Sequence, residues 1–278
     1  VVATASEKVN DNHFTDCHCH LIPGLDDGPS NITEALEMAR ILTDFGFSKL
    51  FCTPHQLKGA FDNHPSRIRE AVTDFQEILH REDIPLTTHA AVEYHLDEYL
   101  QNALDEPMLI GEDLILLEAH RHIQPQTLSE TVYWIITRKK LRPLLAHPER
   151  YDLFDDALNS KQPRDSLITL WPWQWNRHRL RSRGYHPYRQ ESEDLLTVLR
   201  EMGCLFQGNI GSFAGIYGGR VRKRAICLLK MGIYDRLGTD AHRPQHLAVW
   251  LEEGLKVIKQ AIGSEGLTKL LRPLEASI

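Results

Sequence analysis

Asp16-Cys17-His18-Cys19-His20, followed closely by Gly24-Leu25-Asp26-Asp27-Gly28, is the stretch on which the fold reading turns. It reads as the end of a buried strand that delivers two imidazoles into a site. Side chains alternate along a strand, so His18 and His20 are expected on one face and Cys17 and Cys19 on the other. Two imidazoles on one face, with carboxylates just downstream, form a metal-ligand arrangement. A lone His-x-His says little by itself, so the reading depends on whether later strands end in matching ligands.

Working outward, the chain repeats one rhythm. Asn31 to Phe45 has apolar residues at helical spacing, with Asn31 as N-cap, Glu34 at the third position and Gly46 as the stop. Lys49 to His55 is a short apolar strand ending in Pro54-His55. A helix is expected from Pro65 to His80, a strand from Leu86 to Glu93, and a short helix from Asp97 to Ala103. Leu114 to Glu118 is a continuous apolar run ending in a carboxylate, as in parallel strands covered on both faces. A helix from Pro125 to Lys139 precedes Pro143 to His147. Further on come a helix from Ser192 to Met202, a strand from Cys204 to Asn209, and a glycine-rich loop from Gly211 to Gly219. A helix from Arg222 to Lys230, a strand from Tyr234 to Thr239, and helices at Gln245–Ile262 and Ser264–Leu271 complete the chain. This alternation implies parallel strands with right-handed crossovers. A TIM-type barrel and an open doubly wound sheet both satisfy it. The open sheet would want a phosphate-binding glycine turn after its first strand, where this chain carries acids instead.

Six strands end in His, Asp or Glu after apolar runs. The candidates are His18, His20, His55, Glu93, Glu118, His147, Asp240 and His242, with Asp27 in the first loop. Each has a plain explanation when taken alone. A His-Pro ending serves as a capping turn, and a buried Glu pairs with an Arg. Burying all of them together without cations would be very costly, so the coincidence points to a polynuclear metal site. The mixture of imidazole and carboxylate suits Mn, Fe or Zn better than Ca or Mg.

Asp152 to Gln190 breaks the rhythm, with Trp171, Trp173 and Trp175 among several Arg and His. Its length marks an insertion at about 152–190. It reads either as a surface excursion packed by its own aromatics or as a lid or homo-oligomer contact. With a net charge of −6, the chain has no basic excess pointing to nucleic acid, and no apolar run is long enough to span a bilayer. Residues 1–13 are polar, lack the apolar core of a signal peptide, and are expected to form a flexible arm. The five cysteines are odd in number, and none has an Arg six positions later. A disulfide scaffold and a Cys-x5-Arg phosphatase are therefore unsupported, and a cytoplasmic, reducing compartment is expected.

The motifs Asp16 to His20, Leu25-Asp26-Asp27-Gly28, Thr53-Pro54-His55, Glu93, Glu118, His147-Pro148-Glu149-Arg150 and Asp240-Ala241-His242 resemble the PHP superfamily. They are most similar to its bacterial capsule-associated protein-tyrosine phosphatases, the CpsB/YwqE type. The resemblance runs in order from about residue 14 to 250. It implies an α/β fold, a distorted seven-stranded TIM-like barrel, as one domain over 14–278. It also implies three divalent metal ions, with Mn foremost and Fe or Zn as alternatives. By motif, His18, His20, Glu118 and Asp240 would hold one ion, with Glu118 bridging. Asp27, His55, Glu93, His147 and His242 would complete the others. Arg150 matches a phosphate-binding arginine of the family. The second such arginine has no counterpart at the same spacing, and Arg243 is the nearest candidate. His242 is a candidate for protonating the leaving group. The implied activity is metal-dependent hydrolysis of phosphotyrosine on the tail of a bacterial tyrosine kinase of capsule or exopolysaccharide synthesis. Histidinol phosphate or another phosphoester is the alternative substrate, and a non-catalytic assembly module is the alternative class.

Overall fold

Parallel pairing between strands, each followed by a helix or helical turn, generates the architecture. The computed structural model describes residues 13–154 and 195–272. Residues 1–12 of the arm expected at 1–13, and the expected insertion beyond Phe154, lie outside the described residues.

The elements in order are β1 (Phe14–Cys19), α1 (Ile32–Asp44), β2 (Phe47–Cys52), β3 (His55–Gln56), α2 (Pro65–Arg81), β4 (Thr87–Ala90) and β5 (Glu93–His95). Then come α3 (Leu100–Ala103), β6 (Leu114–Glu118), α4 (Pro125–Trp134) and β7 (Arg142–Ala146). After the undescribed stretch follow α5 (Leu195–Met202), β8 (Leu205–Asn209), α6 (Ile210–Ala214), α7 (Gly219–Lys230), β9 (Arg236–Gly238) and α8 (Leu247–Leu270). One sheet has the order β1-β2-β4 and the other β3-β5-β6-β7-β8-β9. The end of β9 returns to β1. Asp240 N–H donates to the His18 carbonyl at 2.7 Å, His20 N–H donates to the Ala241 carbonyl at 3.0 Å, and Cys19 bridges to Ala241.

Alternation along β6 and β7 explains why these strands read as continuous apolar runs. Ile115, Leu117 and Leu145 pack in the main core with residues of α1, α2, α4 and α8. Leu114, Leu116, Leu144 and Ala146 pack in a second, smaller cluster with Cys17 and Phe51. Both faces are therefore covered, as a parallel sheet requires. Glu118 shares the face of Leu114 and Leu116 by period two. Cys17 joins the smaller cluster, whereas Cys19 packs in the main core. The shared face expected for the two cysteines is thus not kept, and the β1–β2 register shifts between Asp16 and Cys19.

Several elements depart from the sequence expectation for local reasons. The strand expected from Leu86 to Glu93 ends at Ala90 and resumes at Glu93. The strand expected to end at His55 likewise stops at Cys52 and resumes there, after Pro54, which has no N–H to pair. His55 and Glu93 therefore open short strands rather than close long ones. The expected loop from Gly211 contains α6, because the Asn209 side chain accepts from Gly211 N–H at its start and Gly215 ends it at φ 87°. The helix expected to run to Lys139 ends in a π-helical turn from Ile135 to Lys139. Gly263, at φ 76°, divides α8 where two helices were expected. The start of α1 matches expectation. Asn31 Oδ1 accepts from Glu34 N–H at 3.0 Å, while Glu34 Oε2 accepts from Ser30 N–H at 2.8 Å.

Candidate metal centre

The last residues of β1 and the turn after it bring His18 and His20 against a buried carboxylate, Glu93. Its Oε2 lies 3.1 Å from His18 Nε2, 3.2 Å from His20 Nε2 and 3.1 Å from His55 Nδ1. Its Oε1 lies 3.3 Å from His147 Nε2. Asp240 Oδ1 lies 3.2 Å from His18 Nε2 and 3.3 Å from His20 Nε2. Among the described residues, three sets of potential ligand atoms each fall within 4.8 Å of one another: His18, His20, Glu93 and Asp240; His20, Asp27, His55 and His242; and His55, Glu93 and Glu118.

Hydrogen bonds on the outer side of three imidazoles fix their tautomers. Gln207 donates through Nε2 to the Gly208 carbonyl, so its Oε1 accepts from His18 Nδ1 at 2.9 Å. Asp26 Oδ2 accepts from His20 Nδ1 at 2.6 Å. The Asp240 carbonyl accepts from His242 Nδ1 at 2.9 Å. Each Nδ1 then carries a proton and each Nε2 faces the cluster, the orientation in which a neutral imidazole binds a metal.

The site is electrostatically extreme. Burial alone would depress His18, but the Glu93 and Asp240 carboxylates outweigh it and raise its pKa to about 10. Burial opposes ionisation of Glu93 and Asp240 as well, yet His18 and their other cationic neighbours hold both well below the carboxylate range. Asp27, hydrogen-bonded to His242, is lowered to about 2. Two residues accept left-handed backbone here, His147 at φ 33° and Asp240 at φ 53°. Such strain costs about 1–3 kcal/mol per residue and gathers at functional sites.

The residues fit a metal cluster. Among the described residues, both carboxylate oxygens of Glu93 and His147 Nδ1 are buried without a hydrogen-bond partner. His18 Nε2 and His20 Nε2 face each other at 3.2 Å, an approach that two lone pairs tolerate only with a cation or proton between them. The nitrogen and oxygen donors match the borderline divalent metals.

The geometry differs from the expected ligand allocation. Glu93, rather than Glu118, falls in the set with His18, His20 and Asp240, and it also belongs to the set with His55 and Glu118. Glu118 instead pairs with His55 and Glu93, and its Oε1 lies 3.5 Å from His147 Nε2. Arg150 reaches the cluster, with Nη2 2.8 Å from Asp240 Oδ2. Arg243 turns away. It donates to Ser30 Oγ at 2.7 Å, and its Nη1 lies 3.8 Å from Glu34 Oε2.

The sequence reading missed Asp26, Gln207, Asn209 and His95. Asn209 Nδ2 donates to Asp240 Oδ2 at 2.7 Å, and His95 Nδ1 lies 3.4 Å from Glu118 Oε2. A signal existed for two of them. His95 lies two positions after Glu93 on one strand face, and Gln207 is a polar residue inside an otherwise apolar strand.

A family model for capsular polysaccharide synthesis proteins, CpsB/CapC, matches residues 14–162 and 183–276. The chain belongs to this family. The part left unmatched, 163–182, falls within the expected insertion. Among CpsB/CapC relatives, the tyrosine-protein phosphatase YwqE of Bacillus subtilis (strain 168) is 27% identical over 253 residues, covering 90% of this chain and 85% of YwqE. A solved structure from work on YwqE of Bacillus subtilis and CpsB of Streptococcus pneumoniae, described as unique metal-dependent tyrosine phosphatases, aligns with a TM-score of 0.72. It is 26% identical and covers 92% of this chain and 90% of its own. A histidinol phosphate phosphatase from Lactococcus lactis, solved with Zn, L-histidinol and phosphate, aligns with a TM-score of 0.52 at 11% identity. It covers 89% of this chain and 93% of its own, a likeness of fold alone.

Proposed function

We propose that this CpsB/CapC-family chain is a metal-dependent phosphomonoester hydrolase acting on phosphotyrosine in proteins. The observation that carries this reading is Glu93, a buried carboxylate whose two oxygens lack hydrogen-bond partners among the described residues while four imidazole nitrogens converge on them. An arginine stands at the rim of that cluster, and relatives in the family are named tyrosine phosphatases.

In this reading His18, His20, Asp27, His55, Glu93, Glu118, His147, Asp240 and His242 hold three divalent ions, with Mn foremost and Fe or Zn as alternatives. Such ions supply Lewis acidity, lowering the pKa of water and neutralising charge on the transferring phosphoryl group. The chain's own contribution is orientation. Gln207, Asp26 and the Asp240 carbonyl keep the Nε2 lone pairs aimed inward. Asp240 divides its carboxylate, with Oδ1 facing the histidines and Oδ2 accepting from Arg150 and Asn209. The remaining guanidinium donors of Arg150 bind phosphoryl oxygens. His242 has one inward lone pair. As a ligand beside His20, Asp27 and His55 it does not also serve as the acid, and the phenolate leaving group, with a pKa near about 10, needs little acid help.

The same reading takes the two sheets as one distorted seven-stranded barrel over a single domain, 14–278. β2 with β3, and β4 with β5, each count as one interrupted strand, and the Cys19–Ala241 bridge supports closure. The substrate is then the phosphorylated tail of a bacterial tyrosine kinase, met in the cytoplasm. Among the described residues no helix is long and apolar enough to cross a membrane.

The test is elemental analysis of the purified protein with turnover on a phosphotyrosine peptide, histidinol phosphate and an aryl phosphodiester. Turnover should favour the peptide, vanish with chelator and return with Mn, Fe or Zn. Glu93→Gln should lower metal content and reduce turnover by at least about 100-fold. Unchanged metal content and turnover in that variant, or a preference for histidinol phosphate, would sink the reading.

A further inference from the structure

Arg150 is held in two directions. Nη2 donates to Asp240 Oδ2 at 2.8 Å, which fixes one edge of the guanidinium. Its Cζ lies 3.8 Å from the centroid of the Tyr217 ring, so the ring supports one face. Nε is buried without a hydrogen-bond partner among the described residues. The Tyr217 hydroxyl lies 3.4 Å from Asp240 Oδ2 and 3.5 Å from Asn209 Nδ2, long contacts that add little. The loop that presents the ring runs between Gly215 at φ 87° and Gly218 at φ 93°, conformations that other residues rarely adopt.

A single edge contact leaves a guanidinium free to rotate about it. The same edge contact invites collapse into a bidentate pair with Asp240, which would draw that carboxylate from His18 and His20. An aromatic face resists both motions. It attracts the cation through its quadrupole and offers no lone pair that would occupy N–H donors. We propose that Tyr217 is a positioning residue that holds the Arg150 guanidinium plane open toward the phosphoryl group, an inference that rests on the phosphatase reading above. Its ring, rather than its hydroxyl, performs this role.

The experiment compares the parent protein, Tyr217→Leu, Tyr217→Phe, Arg150→Ala and the Arg150→Ala/Tyr217→Leu double variant. The Mn-loaded proteins give kcat and KM on a phosphotyrosine peptide and inorganic phosphate affinity by calorimetry, and the diamagnetic Zn-loaded forms that keep Arg150 give the NMR shift of its Nε–H. Tyr217→Leu should weaken kcat/KM and phosphate affinity about tenfold, the scale of a partly desolvated cation–π pair, and move the Nε–H resonance out of the ring current. Tyr217→Phe should recover most of that loss, to within about threefold of the parent. In the Arg150→Ala background, Tyr217→Leu should add less than about twofold, because the partner through which it acts is gone. A merely structural role would carry the same loss into both backgrounds.

The inference is overturned if Tyr217→Phe is as damaging as Tyr217→Leu. It is also overturned if the leucine variant keeps full phosphate affinity, or if its loss persists undiminished without Arg150. If the parent fails to hydrolyse the peptide while phosphate affinity and the Nε–H shift follow the expected pattern, the phosphatase reading falls and the positioning role of Tyr217 stands.

Discussion

Replacing Asp26 with Asn asks whether a carboxylate outside direct ligand contact sets the competence of the cluster. Asp26 Oδ2 accepts from His20 Nδ1 at 2.6 Å and from His55 N–H at 3.0 Å, while Oδ1 accepts from Gly28 N–H at 2.9 Å. A carboxylate serves these three donors with acceptor oxygens alone, whereas an amide offers one oxygen and two N–H donors. If the amide oxygen faces His20, its NH2 confronts the Gly28 N–H. If the NH2 faces His20, it donates to Nδ1 and drives the imidazole proton to Nε2, the atom aimed at His18, Glu93 and Asp240. Either arrangement forfeits a short charge-assisted hydrogen bond, worth roughly 1.5–3 kcal/mol. At about 1.4 kcal/mol per tenfold, metal affinity should fall about 10- to 100-fold. Competition against a fluorescent chelator for Mn or Zn measures this, with a thermal melt to establish that the variant folds. Long-range imidazole 1H–15N spectra would report the His20 tautomer directly. A folded Asp26→Asn protein that binds metal within about twofold of the parent would refute the tautomer argument.

Other outcomes follow from the same geometry. Glu149 is fully buried and accepts from Asn209 N–H at 3.0 Å and from Tyr234 OH at 2.9 Å. Glu149→Ala should lower unfolding free energy in urea by about 2–5 kcal/mol, since each stranded donor costs about 1–3, and a loss under about 1 kcal/mol would contradict this. A Cβ on Gly238 would lie 2.7 Å from His18 Cβ and 3.2 Å from His18 N. Gly238→Ala should therefore destabilise by about 1–3 kcal/mol and weaken metal binding, both visible in melts with and without metal. Asp152 is hydrogen-bonded by Arg224 at 2.9 Å, and its pKa is lowered from 3.8 to about 2. A depressed carboxylate stabilises above its unfolded pKa and loses that contribution as pH falls through the folded one. Because Asp152 keeps 27% of its side chain exposed, screening trims the effect. Asp152→Asn should be about 1 kcal/mol less stable than the parent near pH 6, and the gap should close between about pH 4 and pH 2. A gap that widens in acid would be inconsistent with this sign.

Much of the candidate centre was legible because clustered imidazoles and carboxylates at strand ends leave a strong local mark. His18-x-His20, His55 after Pro54, His147 before Pro148 and Asp240-x-His242 each interrupt or end an apolar run, and buried ionisable groups are too costly to arise by drift. The central role of Glu93 was not legible. It arises from the break at Ala91-Val92, which is set by neighbouring strands rather than by local propensity. Asp26 and Gln207 were missed because they act through other side chains, and a sequence does not reveal which nitrogen of an imidazole is tied. Arg243 was the nearest candidate for the second arginine of the family, and Ser30 and Glu34 beside the start of α1 engage it. α6 was hidden by glycines that lower helix propensity, and Asn209 and Gly215 close its two ends nonetheless.

The return of β9 to β1 has a temporal consequence. Cys19 and Ala241 stand 222 positions apart, and the side chains that face one another around His18 come from both sides of that span. During synthesis at roughly 5–20 residues per second, the early histidines wait at least about ten seconds for Asp240 and His242 to leave the ribosome. A nascent chain shorter than that offers imidazoles without their closing carboxylate. Once Asp240 meets His18 and His20, an ion held by these candidate ligands would tie the two ends of the loop like a removable rivet. Loop-closure arithmetic for a span longer than about 100 residues puts such a tie at several kcal/mol. Chelation would then loosen the seam between the first and last strands before it disturbs the helices around them.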